Sequence, residues 1–136
     1  MDFNEILKPG LEAQASDVVT EKNVAATWHS GALAVYSTPA MIGLMEAASC
    51  NAIDNLLPAG WTSVGVDVRI KHIAATPLGM KVTAHAELLL VDDRALSFKV
   101  TAFDEAGMIG EGVHGRFLVE NEKFLAKVKN KALKNN

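Results

Sequence analysis

Three side chains that can do acid–base or nucleophilic chemistry stand out in this chain: Thr38, Glu46 and His72. Glu46 lies in TPAMIGLMEAASC, residues 38 to 50, a run otherwise almost entirely apolar and small. An ionised carboxylate buried without partners is very costly, so such a group shifts its pKa or finds a specific partner. On a helical wheel its neighbours at i−4, i+3, i+4 and i+7 are Ile42, Ser49, Cys50 and Ile53, and none of them can pair with its charge. The plainer reading is a carboxylate that reaches solvent where its helix is uncovered, or that bonds a backbone N–H. His72 is the only titratable residue on the apolar face of the strand pattern TSVGVDVRIKHI. Its plainer reading is a histidine satisfied by a backbone carbonyl. Thr38 opens the helix that carries Glu46. Its hydroxyl sits with free N–H groups at a positive dipole end that suits a developing oxyanion, or it is simply an N-cap.

Eight residues separate Thr38 from Glu46, which places them about 12 Å apart along one helix at 1.5 Å per residue. That is long for joint contact within one chain. Two antiparallel helices related by a two-fold axis would instead bring the start of one beside the middle of the other, so a dimer with two sites at its interface is expected.

The elements that must hold these groups follow from periodicity. Thr38 and Pro39 start a helix expected to run to about Leu57, where Pro58, Ala59 and Gly60 stop it. Met41, Ile42, Leu44, Met45, Ala47, Ala48, Ile53 and Leu56 make that helix apolar or small nearly all round, so it needs cover on more than one side. From Thr62 the period becomes two, with Val64, Val66, Val68, Ile70 and His72 on one face and Ser63, Gly65, Asp67, Arg69 and Lys71 on the other. After TPLG, Met80, Val82, Ala84, Ala86, Leu88 and Leu90 share a side. ALSFKVTAF and MIGEGVHGRFLV follow across the DDR and DEAG turns, and three long strands joined by short turns read as an antiparallel meander. Residues 11 to 20 and 24 to 28 are further strand candidates. NEKFLAKVKNKALKNN, with Phe124, Leu125 and Val128 at helical spacing, reads as a short amphipathic helix fraying into solvent. The expected class is α+β, a long helix wrapped by a curling antiparallel sheet.

Composition bounds the function. A chain of 136 residues fits one domain spanning 1 to 136, and 49% hydrophobic with 21% charged residues is ordinary for a folded soluble protein. A net charge of −3 gives no basic field for nucleic acid or an anionic membrane. One cysteine, Cys50, allows no intrachain disulfide. The N-terminus lacks a secretory pattern and no apolar run is long enough for a membrane span, so a cytoplasmic location is expected. Cys50 reads as a small buried hydrophobe with no histidine at helical spacing. His29, His85 and His114 show no metal-ligand spacing, so neither a metal nor a cofactor is expected. His85 should lie on its strand's polar face. GEGVHG lies inside a strand and lacks the strand-to-helix setting of a nucleotide loop. Arg69, Lys71 and the lysine-rich tail read as solvated charge before they read as anchors for a phosphate.

The ordered set GLEAQASDVVT, STPAMIGLMEAAS, VGVDVRIKHIAATPLGMKV and HGRFLVENEKF, which covers most of the chain, resembles the hotdog-fold acyl-CoA thioesterases, and within them the fluoroacetyl-CoA thioesterase-like group. The resemblance implies a hotdog fold, a homodimer or an assembly of dimers, and hydrolysis of a small or short-chain acyl-CoA. It also implies Thr38, Glu46 and His72 as the catalytic set and Gly65 as a glycine whose backbone serves the substrate. Where family members often carry a charged residue between the His and Arg of the late strand, this chain has Gly115, so no role is carried over to His114 or Arg116. A thioester carbonyl is electrophilic and its leaving thiol has a parent pKa of roughly 8.5, so a placed base or nucleophile with charge stabilisation suffices. Two other functions fit the same pattern: a hotdog hydratase or dehydratase, and a module that binds an acyl thioester without turnover.

Overall fold

In a computed structural model, which describes residues 1 to 134, five strands form one antiparallel sheet. The chain runs α1 (Phe3–Ile6), β1 (Glu12–Val18), α2 (Thr38–Ile53), a 3₁₀ turn (Asp54–Leu56), β2 (Trp61–His72), β3 (Lys81–Asp92), β4 (Ala95–Phe103), β5 (Met108–Glu120) and α3 (Asn121–Lys134). The spatial order is β1-β3-β4-β5-β2, and α2 lies across the inner face, mainly on β1 and β3. Alternation explains the packing: Val82, Ala84, Ala86 and Leu88 of β3 and Leu96, Phe98, Val100 and Ala102 of β4 all face inward and are buried. Met41, Met45, Ala48, Ala52 and Ile53 of α2 meet them. The alanines on both sides let the helix sit close to the sheet.

Several expectations are corrected. The helix does not continue to Leu57: its last turn tightens into the 3₁₀ segment before Pro58, a common way for a helix end to satisfy its carbonyls. Residues 24 to 28 form no strand. Val24 makes only an isolated bridge to Tyr36, and the alanine-rich stretch turns to form a strap before α2. β2 is not hairpin-paired with β3. It crosses to the far edge and pairs with β5, so the meander proper is β3-β4-β5. Ser37, not Thr38, caps α2, its side chain accepting from the Ala40 N–H; Thr38 and Pro39 are the first helical residues.

Of three register shifts in the sheet, those in β2 and β3 set which side chains face α2. In β2 the register shifts between Gly65 and Asp67, so Ser63 and Gly65 face inward before it and Val68, Ile70 and His72 after it. Val64 and Val66 therefore lie on the outer face, and Val66 is 64% exposed. In β3 a shift between Leu88 and Leu90 turns Leu90 outward and Val91 inward. His85 lies on the outer face as expected, 3.5 Å from Glu12 of β1. The glycines of GEGVHG serve close strand packing: a Cβ on Gly112 would strike the Arg69 carbonyl and Ile70 of β2, and one on Gly110 would lie 2.6 Å from the Met41 sulfur. α3 is helical through Lys134, and the last two residues of the expected fraying tail lie outside those described. No described helix is long and apolar enough to cross a membrane.

Candidate functional site

The start of α2 and the end of β2 meet. Thr38 Oγ1 and His72 Nδ1 are 2.7 Å apart, a hydrogen bond across 34 residues of sequence. The bulge makes it possible, because it turns His72 toward the helix. His72 Nε2 is buried and has no protein partner. Burial holds the His72 pKa below the ordinary histidine value, with the nearby Ala74 backbone opposing it without reaching hydrogen-bond geometry. The imidazole is thus favoured neutral near pH 7, with one ring nitrogen tied to Thr38 and the other available. Ser37 satisfies the Ala40 N–H with its side chain and the Met41 N–H with its carbonyl, and Pro39 has no N–H. The helix start therefore has the Thr38 N–H left to offer an anion.

A pocket of about 370 Å³ opens beside this pair. It lies between the strap that precedes α2 and the segment after β2, and Thr38, His72, Leu33 and Ala74 are among its walls. That volume falls within the usual range for ligand sites.

Glu46 is not at that pair within one chain. It stands two turns further along α2, under the bulge of β2 and beside β5. Its Oε2 is 3.5 Å from Arg116 Nη1 and 3.9 Å from His114 Nε2, with the carboxylate side chain 40% exposed. Arg116 is buried and closely held: Nε donates to Ser63 Oγ at 2.7 Å, Nη2 to the Ser63 carbonyl at 3.1 Å, and Nη1 to His114 Nε2 at 3.1 Å. His114 Nδ1 lies 2.8 Å from the Asp67 carbonyl. A carbonyl can only accept, so Nδ1 carries the proton and Nε2 is the acceptor that faces the guanidinium. The guanidinium is thereby oriented to present Nη1 to Glu46. Gly65 backs the carboxylate: a Cβ there would lie 2.7 Å from Glu46 Oε2.

Thr38 and His72 are thus brought together, Gly65 is placed against Glu46, and the two groups are separate within one chain. His114 and Arg116 are the polar groups that sequence reasoning passed over. The available signal was their phase, since in HGRFL both alternate with Leu118 on the inner face of β5. Cys50 is a half-buried thiol whose pKa burial raises, consistent with a packing residue. No three His, Cys, Asp or Glu side chains converge as a metal site among the described residues.

A long apolar helix wrapped by a curled antiparallel sheet, with polar groups at the start and middle of that helix, defines the hotdog class. A hot-dog-like protein from Thermanaerovibrio acidaminovorans superposes with a TM-score of 0.88 at 27% identity, over 96% of this chain and 97% of its own. The structure of the fluoroacetyl-CoA thioesterase FlK matches with a TM-score of 0.87 and 35% identity, over 92% of this chain and 97% of that one. The fluoroacetyl-CoA thioesterase of Streptantibioticus cattleyicolor is 44% identical over 97 residues, 71% of this chain and 70% of its own. Residues 19–122 match the model of the family described as FlK, fluoroacetyl-CoA-specific thioesterase. The chain belongs to that family, and it is an enzyme of the thioester hydrolase class.

Proposed function

We propose that this protein hydrolyses an acyl-CoA thioester to the free acid and CoA, with Thr38, His72 and Glu46 as its catalytic groups and Gly65 lining the site. The observation that carries the reading is the 2.7 Å Thr38–His72 bond, which leaves a buried, unpartnered ring nitrogen beside a ligand-sized pocket. With the Thr38 hydroxyl donating to Nδ1, Nε2 carries the ring proton and can donate a hydrogen bond to the departing sulfur, which stabilises it as it leaves as thiolate. Glu46, held by Arg116, takes a proton from water as the water oxygen bonds to the carbonyl carbon and the C–S bond breaks. Alternatively Glu46 attacks that carbon itself, and water then cleaves the resulting anhydride.

The separation of Glu46 from Thr38 supports a shared site. Along the helix the two are about 12 Å apart. The sheet's free edge at β2 carries exposed apolar side chains, Val66 at 64% and Val68 at 40%, where a second copy can pair and bring its own helix alongside. The partners of this reading are an acyl-CoA and a second subunit. Free-thiol release from a panel of acyl-CoAs tests it, together with sedimentation. Cleavage by a dimer is expected, with Glu46→Gln and His72→Ala each slower by orders of magnitude yet folded. Saturable binding with no thiol released across the panel would leave a binding module instead, and full activity in a strict monomer would remove the shared site.

A further inference from the structure

Resting on the hydrolase reading, we infer that His114 is a positioning residue for the reaction, setting the place of the Glu46 carboxylate through the Arg116 guanidinium. The geometry of the guanidinium is the first reason. Nε and Nη2 form one edge of its plane, and both bond to Ser63, at 2.7 Å to the hydroxyl and 3.1 Å to the carbonyl. Two bonds to one residue along a single edge leave the group free to rock about that edge. Nη1 is the remaining corner, the one 3.5 Å from Glu46 Oε2, and its 3.1 Å bond to His114 Nε2 holds that corner still. The tautomer is the second reason. Nε2 can accept from Nη1 only while it is unprotonated, and the Asp67 carbonyl, 2.8 Å from Nδ1, keeps the single ring proton on the other nitrogen. Asp67 is where the β2 ladder resumes after its bulge, so the irregularity that turns His72 inward also supplies the acceptor that fixes His114. Burial is the third. His114 is 2% exposed and Arg116 6%, so their bond lies inside one chain and stays in place when a second subunit covers the site. The Glu46 side chain is 40% exposed, and its carboxylate takes its direction from the cation it faces rather than from enclosure.

The consequence is a rate that depends on a side chain out of reach of the substrate. His114→Leu fills much of the imidazole's space without an acceptor, whereas His114→Gln offers a carbonyl oxygen to Arg116 and an N–H to the Asp67 carbonyl. Loss of the Nη1 anchor should lower kcat about tenfold in His114→Leu with KM little changed, and His114→Gln should recover most of it. The experiment measures free-thiol release by the wild type, both variants, Glu46→Gln and the double variant Glu46→Gln/His114→Leu, each corrected to its folded fraction. A residue that works through the carboxylate matters only while the carboxylate is there. In the Glu46→Gln background, His114→Leu should therefore cost less than about twofold, a non-additivity that a general loosening of the fold would not show. The inference is overturned if His114→Leu keeps the wild-type kcat, if its loss is as large in the Glu46→Gln background, or if His114→Gln does no better than His114→Leu. Side-chain NMR separates this from the reading beneath it. The Arg116 Nη1 signals should be resolved and the Glu46 carboxyl carbon sharp in the wild type and in His114→Gln, and both should average in His114→Leu. That pattern without thiol release from any acyl-CoA sustains the positioning and sinks the hydrolase, whereas thiol release with signals that His114→Leu leaves unchanged does the reverse.

Discussion

Replacing Gly65 by alanine tests whether the position of the Glu46 carboxylate, rather than its mere presence, sets the rate. The new Cβ would lie 2.7 Å from Glu46 Oε2, 3.3 Å from His114 Cε1 and 3.4 Å from Arg116 Nη1. Ordinary contact begins near 3.4 Å, so the carboxylate must retreat by about 3.4 − 2.7 = 0.7 Å. The neighbour that gives way is the flexible tip of a half-exposed side chain, so the loss of stability should stay below about 1 kcal/mol. Catalysis is less forgiving. A misplacement of about 1 Å can cost on the order of 100-fold, and 0.7 Å should cost roughly 10- to 100-fold in kcat with KM little changed. Thiol release with a fixed acyl-CoA gives the rate, and thermal unfolding gives the stability. Wild-type kcat in a variant with wild-type Tm would refute the idea that this glycine fixes the carboxylate.

Gly112→Ala is the contrast: its Cβ meets the backbone of Arg69 and Ile70 rather than a mobile tip, so β2 must move off β5, and denaturant unfolding should show a loss of about 3 kcal/mol. Arg116→Ala leaves the Ser63 carbonyl and His114 Nε2 without a donor and Glu46 without its cation; about 2–4 kcal/mol of stability and most of the activity should go, as read by urea titration and thiol release. The pH profile follows from His72, whose pKa burial lowers. The neutral imidazole persists below the ordinary 6.5, so kcat/KM should stay level through pH 6.5 and fall only in more acid solution; a half-maximal point at or above 6.5 would contradict this. The same shift means the unfolded chain binds the extra proton first, so the stability due to His72 is complete above about pH 6.5 and declines as pH falls, which acid-range thermal melts would show.

The sequence was most informative where one physical signal dominated. Thr38-Pro39 and Pro58-Ala59-Gly60 bracket the helix closely, and the alternation from Val82 to Leu88 gives the inner face of β3 up to the bulge that turns Leu90 outward. It was least informative where a local irregularity decides the outcome. Val64, Val66 and Val68 alternate so evenly that nothing in their types announces the bulge; only Gly65, a weak mark of irregular strand geometry, stands beside it. The TPLG turn suggests a hairpin, yet β2 and β3 sit at non-neighbouring positions in the sheet, and the eight residues 73 to 80 exceed the length of an ordinary hairpin loop. The setting of Glu46 was half legible. That it either reached solvent or found a partner followed from burial cost, and it does both, 40% exposed and facing Arg116. That the partner is Arg116 depends on which strand β5 pairs with, which is a fact of tertiary order and not of local pattern.

The irregularity at Val66 also fixes an arithmetic. Gly65 and His72 are seven positions apart, an odd number, yet both side-chain directions point toward α2. In an unbroken strand an odd spacing would send one of them to solvent. Deleting the surplus residue while keeping the strand would therefore not shorten the site but invert one half of it, uncoupling the imidazole from the threonine in a single step. Any kindred sequence that keeps this geometry must keep that parity, so counting residues between the glycine and the histidine shows whether both halves can look inward at once.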